Sequence, residues 1–152
     1  KRGHGDMTIE KASELGASAL YPIITERTVV TRIPIDRYEA IAIEAAEQCE
    51  RCSVPKIHPA QKLDALLAGW NAHKHILLCA EQGEATPIAA AVMSMNMPGL
   101  AVMIGPEGGF SNAEFAKLRA LPYVTPVTLG PRILRADTAA ISALSIIQAL
   151  KK

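Results

Sequence analysis

Two short stretches constrain this chain more than any others: Ile76-Leu77-Leu78-Cys79-Ala80 and Leu100-Ala101-Val102-Met103-Ile104, each apolar at every position. A strand with one wet face alternates apolar and polar residues, so an unbroken apolar run reads as a strand covered on both faces. Such strands lie inside parallel sheets with helices on either side. Periodicity and caps predict helices over residues 7–15, closed by Gly16, from Asp36 onward, over 62–71, from Pro87, over 111–121 and over 137–150. Strand-like runs fall at 19–23, 28–30, 54–58, 76–80, 100–104 and 126–129. Their alternation with helices predicts an α/β domain with a mostly parallel sheet flanked by helices.

The helix opened by Asp36, with Glu39 three residues on as a capping box, gathers Tyr38, Ile41, Ala42, Ala45, Cys49 and Cys52 on one side. Glu44, Gln48 and Arg51 form the opposite stripe, whose plain reading is a solvated face. Cys49-x-x-Cys52 is expected to be a pair of buried thiols, since no second ligand pair accompanies it; no metal site is expected. Three cysteines are an odd number for a disulfide framework, and a reducing cytoplasm fits best.

A chain of 152 residues, 49% hydrophobic, builds one core and one domain. No apolar run approaches the roughly 20 residues of a membrane-spanning helix, so no membrane partner is expected. Sixteen basic and fifteen acidic residues leave a formal charge of +1, so any grip on nucleic acid must be local or come from another segment or subunit. The chain starts at Lys1, without Met or an apolar leader, and reads as a piece of a longer one.

Two loops could carry chemistry. Ile104-Gly105-Pro106-Glu107-Gly108-Gly109-Phe110 leads from a buried strand to a helix capped by Ser111 and Glu114. Ligands of parallel sheets bind at such strand ends, and glycines let the backbone approach them. The spacing is neither a dinucleotide fingerprint nor a phosphate-binding loop. Glu107 would oppose a phosphate but could accept hydrogen bonds from ribose hydroxyls, so a nucleoside without phosphate fits better. The alternative is a tight turn whose glycines only satisfy geometry. Leu129-Gly130-Pro131-Arg132-Ile133-Leu134-Arg135 again joins a strand to a helix, with two arginines flanking an apolar pair. Arginine suits a nucleobase or phosphate, although Arg135 alone also reads as a surface residue.

These two loops, with Thr138-Ala139 after them, resemble the signature of the RsmE family of SPOUT methyltransferases. Lys11-Ala12-Ser13-Glu14-Leu15-Gly16 resembles that family's K-A-x-E-L-G segment. Glu44-Ala45-Ala46-Glu47-Gln48-Cys49-Glu50-Arg51, followed by Val54-Pro55, resembles its E-A-x-E-Q-x-x-R and V-P segments. One departure stands out: the chain has Arg135-Ala136-Asp137-Thr138-Ala139 where the family often shows R-T-E-T-A.

The resemblance implies an S-adenosylmethionine-dependent methyltransferase acting on N3 of a uridine in 16S ribosomal RNA or the assembled small subunit. It implies a C-terminal deep trefoil knot, a homodimer, and an N-terminal PUA-like RNA-binding domain outside this chain. The cofactor would contact Leu78, Cys79, Glu81, Ile104, Gly105, Pro106, Glu107, Gly109, Leu129, Gly130, Ile133 and Leu134. Lys11, Glu14, Gln48, Arg51 and Arg132 would face RNA or the second subunit. Arg135 would stabilise the anion formed as the uracil N3 proton leaves, with Glu14, Glu107 or a water as base. A SPOUT ribose 2′-hydroxyl methyltransferase and a non-catalytic RNA-binding or dimerisation fragment are the other readings. A nicotinamide-dependent oxidoreductase is disfavoured by the missing fingerprint.

Overall fold

The computed structural model describes residues 3–29, 32–80, 83–95 and 99–150. Its centre is a parallel sheet of β5 (His75–Cys79), β6 (Thr86–Pro87), β7 (Leu100–Met103) and β8 (Val124–Thr128), in the order β6-β8-β5-β7. The inner strand β5 is the first apolar run of the sequence. Its residues alternate between two cores, as a period of two requires. Ile76 and Leu78 pack with Leu63, Leu66 and Leu67 of α3 (Leu63–Ala68) and Leu118 of α5 (Asn112–Arg119). Leu77 faces the other way, against Ile88, Ala91 and Val92 of α4 (Ile88–Ser94) and Ala143 of α6 (Ala136–Leu150). Ile76, Leu77 and Leu78 are each at most 1% exposed, and burying each is worth roughly 1.5–3 kcal/mol.

The N-terminal half adds α1 (His4–Glu14) and α2 (Ile35–Gln48), packed on each other around Ile9, Ala42 and Ile57. Two further parallel pairs join β1 (Ala19–Leu20) to β3 (Lys56–Ile57) and β2 (Ile23–Ile24) to β4 (Gln61–Lys62). Helix α6 also lies against α1, where Gln148 Nε2 donates to the Leu15 carbonyl at 2.9 Å. Among the described residues no helix is long and apolar enough to cross a membrane.

Several expectations need correction. The run at 28–30 is not a strand over its described part: Thr28 closes a turn by donating its N–H to the Thr25 carbonyl. Helix α2 begins at Ile35 behind Pro34, which places Asp36 inside the first turn, and no side chain caps the helix. The thiols of Cys49 and Cys52 are exposed, not buried. The cause is local, because α2 stops at Gln48 and Glu50 turns left-handed at φ 55°. The Arg51 N–H then bonds the Ala46 carbonyl, a Schellman-like end that carries the second cysteine off the helical stripe. The two-residue strands β4 and β6 carry no pattern long enough to read from sequence.

Candidate functional site

Because β5, β7 and β8 run parallel, their C-terminal ends lie at one edge of the sheet and their outgoing loops gather there. A cleft of about 270 Å³ opens between them. Its lining includes Cys79 at the end of β5 and Ala80 after it, Ile104 and Gly105 after β7, the stretch 127–134 from the end of β8 onward, and Ala136 and Ala139 of α6. Gly83 and Ala85 complete a third side.

Steric demands explain the glycines. A Cβ on Gly105 would stand 3.2 Å from the ring of Phe110 and 3.4 Å from Gly109 Cα, a fit so tight that the loop would have to give by a few tenths of an ångström. Gly130 has open space around it, but its φ of 121° belongs to glycine. Thr128 Oγ1 steadies that turn, accepting from the Gly130 N–H at 3.2 Å. After Gly105 the chain closes tightly, with the Gly109 N–H donating to the Pro106 carbonyl at 2.7 Å. Helix α5 then starts on a complete capping box, Ser111 Oγ accepting from the Glu114 N–H and Glu114 accepting from the Ser111 N–H.

Of the residues expected at a cofactor, Cys79, Ile104, Gly105, Leu129, Gly130, Ile133 and Leu134 line the cleft, and Arg132 joins them. Leu78 lies beneath, fully buried in the core. Pro106, Glu107 and Gly109 belong to the adjoining turn outside the lining, with Glu107 exposed. Glu81 falls outside the described residues. Arg135 is exposed beside the cleft between two lining residues, Leu134 and Ala136, and its carbonyl accepts from the Ala139 N–H.

The walls are nearly neutral. Burial pushes the Cys79 thiol up to about 12, so it stays protonated at neutral pH and contributes apolar surface. Arg132 is the one lining residue with a charged side chain among those described. Backbone groups and aliphatic carbons thus dominate, a setting for an uncharged ring system with hydroxyls. Ala80 and Pro131 lie within stretches that sequence reasoning singled out; it missed Gly83, Ala85, Val127, Thr128, Ala136 and Ala139. Ala136 and Ala139, three apart at the start of α6, had a readable signal in their helical spacing; the others are small residues with none.

Lys11, Glu14, Gln48 and Arg51 sit elsewhere, around α1 and α2. Glu14 and Gln48 border a separate groove with Asp6, Glu10, Arg37 and Glu44, which shares no residue with the cleft. Lys11 Nζ lies 2.8 Å from Glu14 and 2.9 Å from Glu10, and these hydrogen bonds raise its pKa. Arg51 donates to the carbonyls of Ser13 and Ala17, tying the end of α2 to the end of α1. No cluster of three metal-ligating side chains occurs among the described residues.

The chain is similar to proteins of known type. A ribosomal RNA small subunit methyltransferase E of Bacillus subtilis is 37% identical over 150 residues, covering 91% of this chain and 58% of that protein. Its counterpart in Rickettsia conorii is 32% identical over 146 residues, covering 95% and 59%. A crystal structure of ribosomal RNA small subunit methyltransferase E from Neisseria gonorrhoeae, bound to S-adenosyl methionine, superposes with a TM-score of 0.86 at 29% identity. It spans 99% of this chain and 62% of that one. The chain therefore extends over about three fifths of the length of these relatives. The family model of the RNA methyltransferase domain matches residues 1–148, and the chain belongs to that family.

Proposed function

We propose that this chain is the S-adenosylmethionine-dependent catalytic domain of an enzyme that methylates N3 of a uridine in 16S ribosomal RNA. The observation that carries this reading is the cleft at the ends of β5, β7 and β8, built from glycine backbone and apolar carbons in a member of the RNA methyltransferase family. The relatives' name and the S-adenosyl methionine held by the Neisseria protein support it. In this reading the protein is a cytoplasmic homodimer. Its C-terminal segments thread into a trefoil knot, and a PUA-like domain, in keeping with the greater length of the relatives, helps grip RNA.

The residues present fit the cofactor. The neutral thiol of Cys79 tolerates a flat ring, and among the described lining residues Arg132 is the one charged side chain, too little for a phosphate cradle. Gly105, Leu129, Ile133 and Leu134 would hold the nucleoside. The bound cofactor supplies an electrophilic methyl group. Positioning and charge complementarity are what the protein adds. Arg135, exposed between two residues of the cleft lining, would stabilise negative charge on a uracil oxygen as the N3 proton departs. Glu107 on the adjoining turn, Glu14 from a second subunit, or a water would accept that proton.

Titrating the chain with S-adenosylmethionine by calorimetry, with NAD as control, tests the site. Saturable binding of the former alone is expected. Arg135→Ala should lower methyl transfer about 100-fold or more while affinity for S-adenosylmethionine stays within about twofold, as for other losses of a charge-stabilising donor. Near-normal transfer would remove Arg135 from this role. Digestion of the product to nucleosides should give N3-methyluridine; a 2′-O-methyl nucleoside would favour the ribose reading.

A further inference from the structure

The turn between β2 and α2 reaches across to the loop that follows β7. Two threonines fold it. The Thr28 N–H donates to the Thr25 carbonyl at 3.2 Å, and the Thr25 N–H donates to Thr28 Oγ1 at 2.9 Å. Thr25 is buried, at 6% exposure, so the turn is seated on the protein. From this seat the Arg27 guanidinium donates to the Gly108 carbonyl at 3.0 Å, 81 residues further along the chain.

A second contact lies beside the first. The Glu26 N–H donates to Glu114 Oε1 at 2.9 Å, while Glu114 Oε2 accepts from the Ser111 N–H at 2.9 Å. One carboxylate therefore caps α5 and holds the turn. Gly108 lies close on the Arg27 stem: a Cβ there would be 3.3 Å from Arg27 Cβ and 3.7 Å from its Cδ.

None of these contacts completes a strand ladder, and α5 has its cap without Arg27. What they fix is the position of a glycine-rich backbone. Glycine has the most conformational freedom to lose, so an outside anchor lowers the ordering cost when a ligand binds against it. Arginine suits the task, since its charge is permanent and a charge-assisted bond to a carbonyl is stronger than a neutral one. We propose that Arg27 is a positioning residue for the 105–109 loop, holding it in the shape that accepts the nucleoside of S-adenosylmethionine. This rests on the methyltransferase reading above. Arg27 is absent from the cleft lining, so it acts through Gly108 and not on the ligand.

The test is calorimetry of the 152-residue chain with S-adenosylmethionine, paired with thermal melting. Arg27→Ala should weaken binding about three- to tenfold, the loss of one exposed charge-assisted bond, with the melting temperature unchanged to within about a degree. Arg27→Lys keeps a cationic donor and should recover most of the affinity. Unchanged affinity in Arg27→Ala overturns the proposal. So does a loss that follows an equal fall in melting temperature and that Arg27→Lys does not relieve. No binding by the unsubstituted, folded chain overturns the methyltransferase reading itself, and this proposal with it.

Discussion

The two loops of the cleft are held in opposite ways. The loop after β7 is clasped from outside and within: Arg27 bonds Gly108, Gly109 bonds Pro106, and the Ser111–Glu114 box fixes its exit. The loop after β8 is steadied by Thr128 at Gly130 and by the Arg135 carbonyl at Ala139. Between those points it stands in solvent, with Ile133 74% exposed. A preformed wall faces an open one. The first loop is held in one shape by bonds from other segments, while the second keeps its freedom between its two anchored ends.

The glycines separate the two cases. Gly105 is required by space and Gly130 by backbone angle. Gly105→Val should have the largest effect: its side chain meets Phe110 and Gly109, stability falls by about 1–3 kcal/mol as in other overpacked sites, and binding of S-adenosylmethionine is lost in calorimetry. Gly130→Ala meets no atoms and suffers only its φ, of order 1 kcal/mol. The open loop relaxes, so the melting temperature moves little while affinity weakens severalfold. Equal effects from both substitutions would erase the contrast between a rigid and an adaptable wall.

The smallest effect expected lies at the far end of β5. His75 Nε2 is 2.8 Å from Thr125 Oγ1, and desolvation lowers the pKa of the ring below 6.5. His58, stacked on Tyr21 at 4.0 Å, is lowered too, by burial first and then by Lys56 and Lys74. A lowered histidine binds fewer protons folded than unfolded. Stability is therefore whole above pH 6.5 and falls as pH drops below 6.5 toward the lowered folded values. His75→Gln should flatten part of that slope in melting curves recorded between pH 7 and 5, and should leave the difference between the two loops untouched. A change in their ratio of ligand effects would mean that the strand transmits strain to the cleft.

Much of the cleft was legible because its signals are local. The runs at 76–80 and 100–104 announced strands covered on both faces, and alternate residues of β5 do enter different cores. The Ser111–Glu114 box was readable from a spacing of three. Legibility failed where a distant partner decides. One failure was local: the Cys49 and Cys52 pattern continued past a helix that Glu50 ends. The polar stripe on α2 gave no hint that Arg51 would be spent on the carbonyls of Ser13 and Ala17. Nothing in the run from Thr25 to Thr28 marks Arg27 as a neighbour of Gly108.

By itself, then, the sequence determined most of the helices, the two inner apolar strands, the parallel sheet and the two glycine loops, since periodicity, capping and the sterics of glycine act over a few residues. Only the tertiary structure decided which walls are stiff and which arginines are committed. Those depend on hydrogen bonds between segments tens of residues apart, whose geometry exists only once the cores on both faces of β5 have closed.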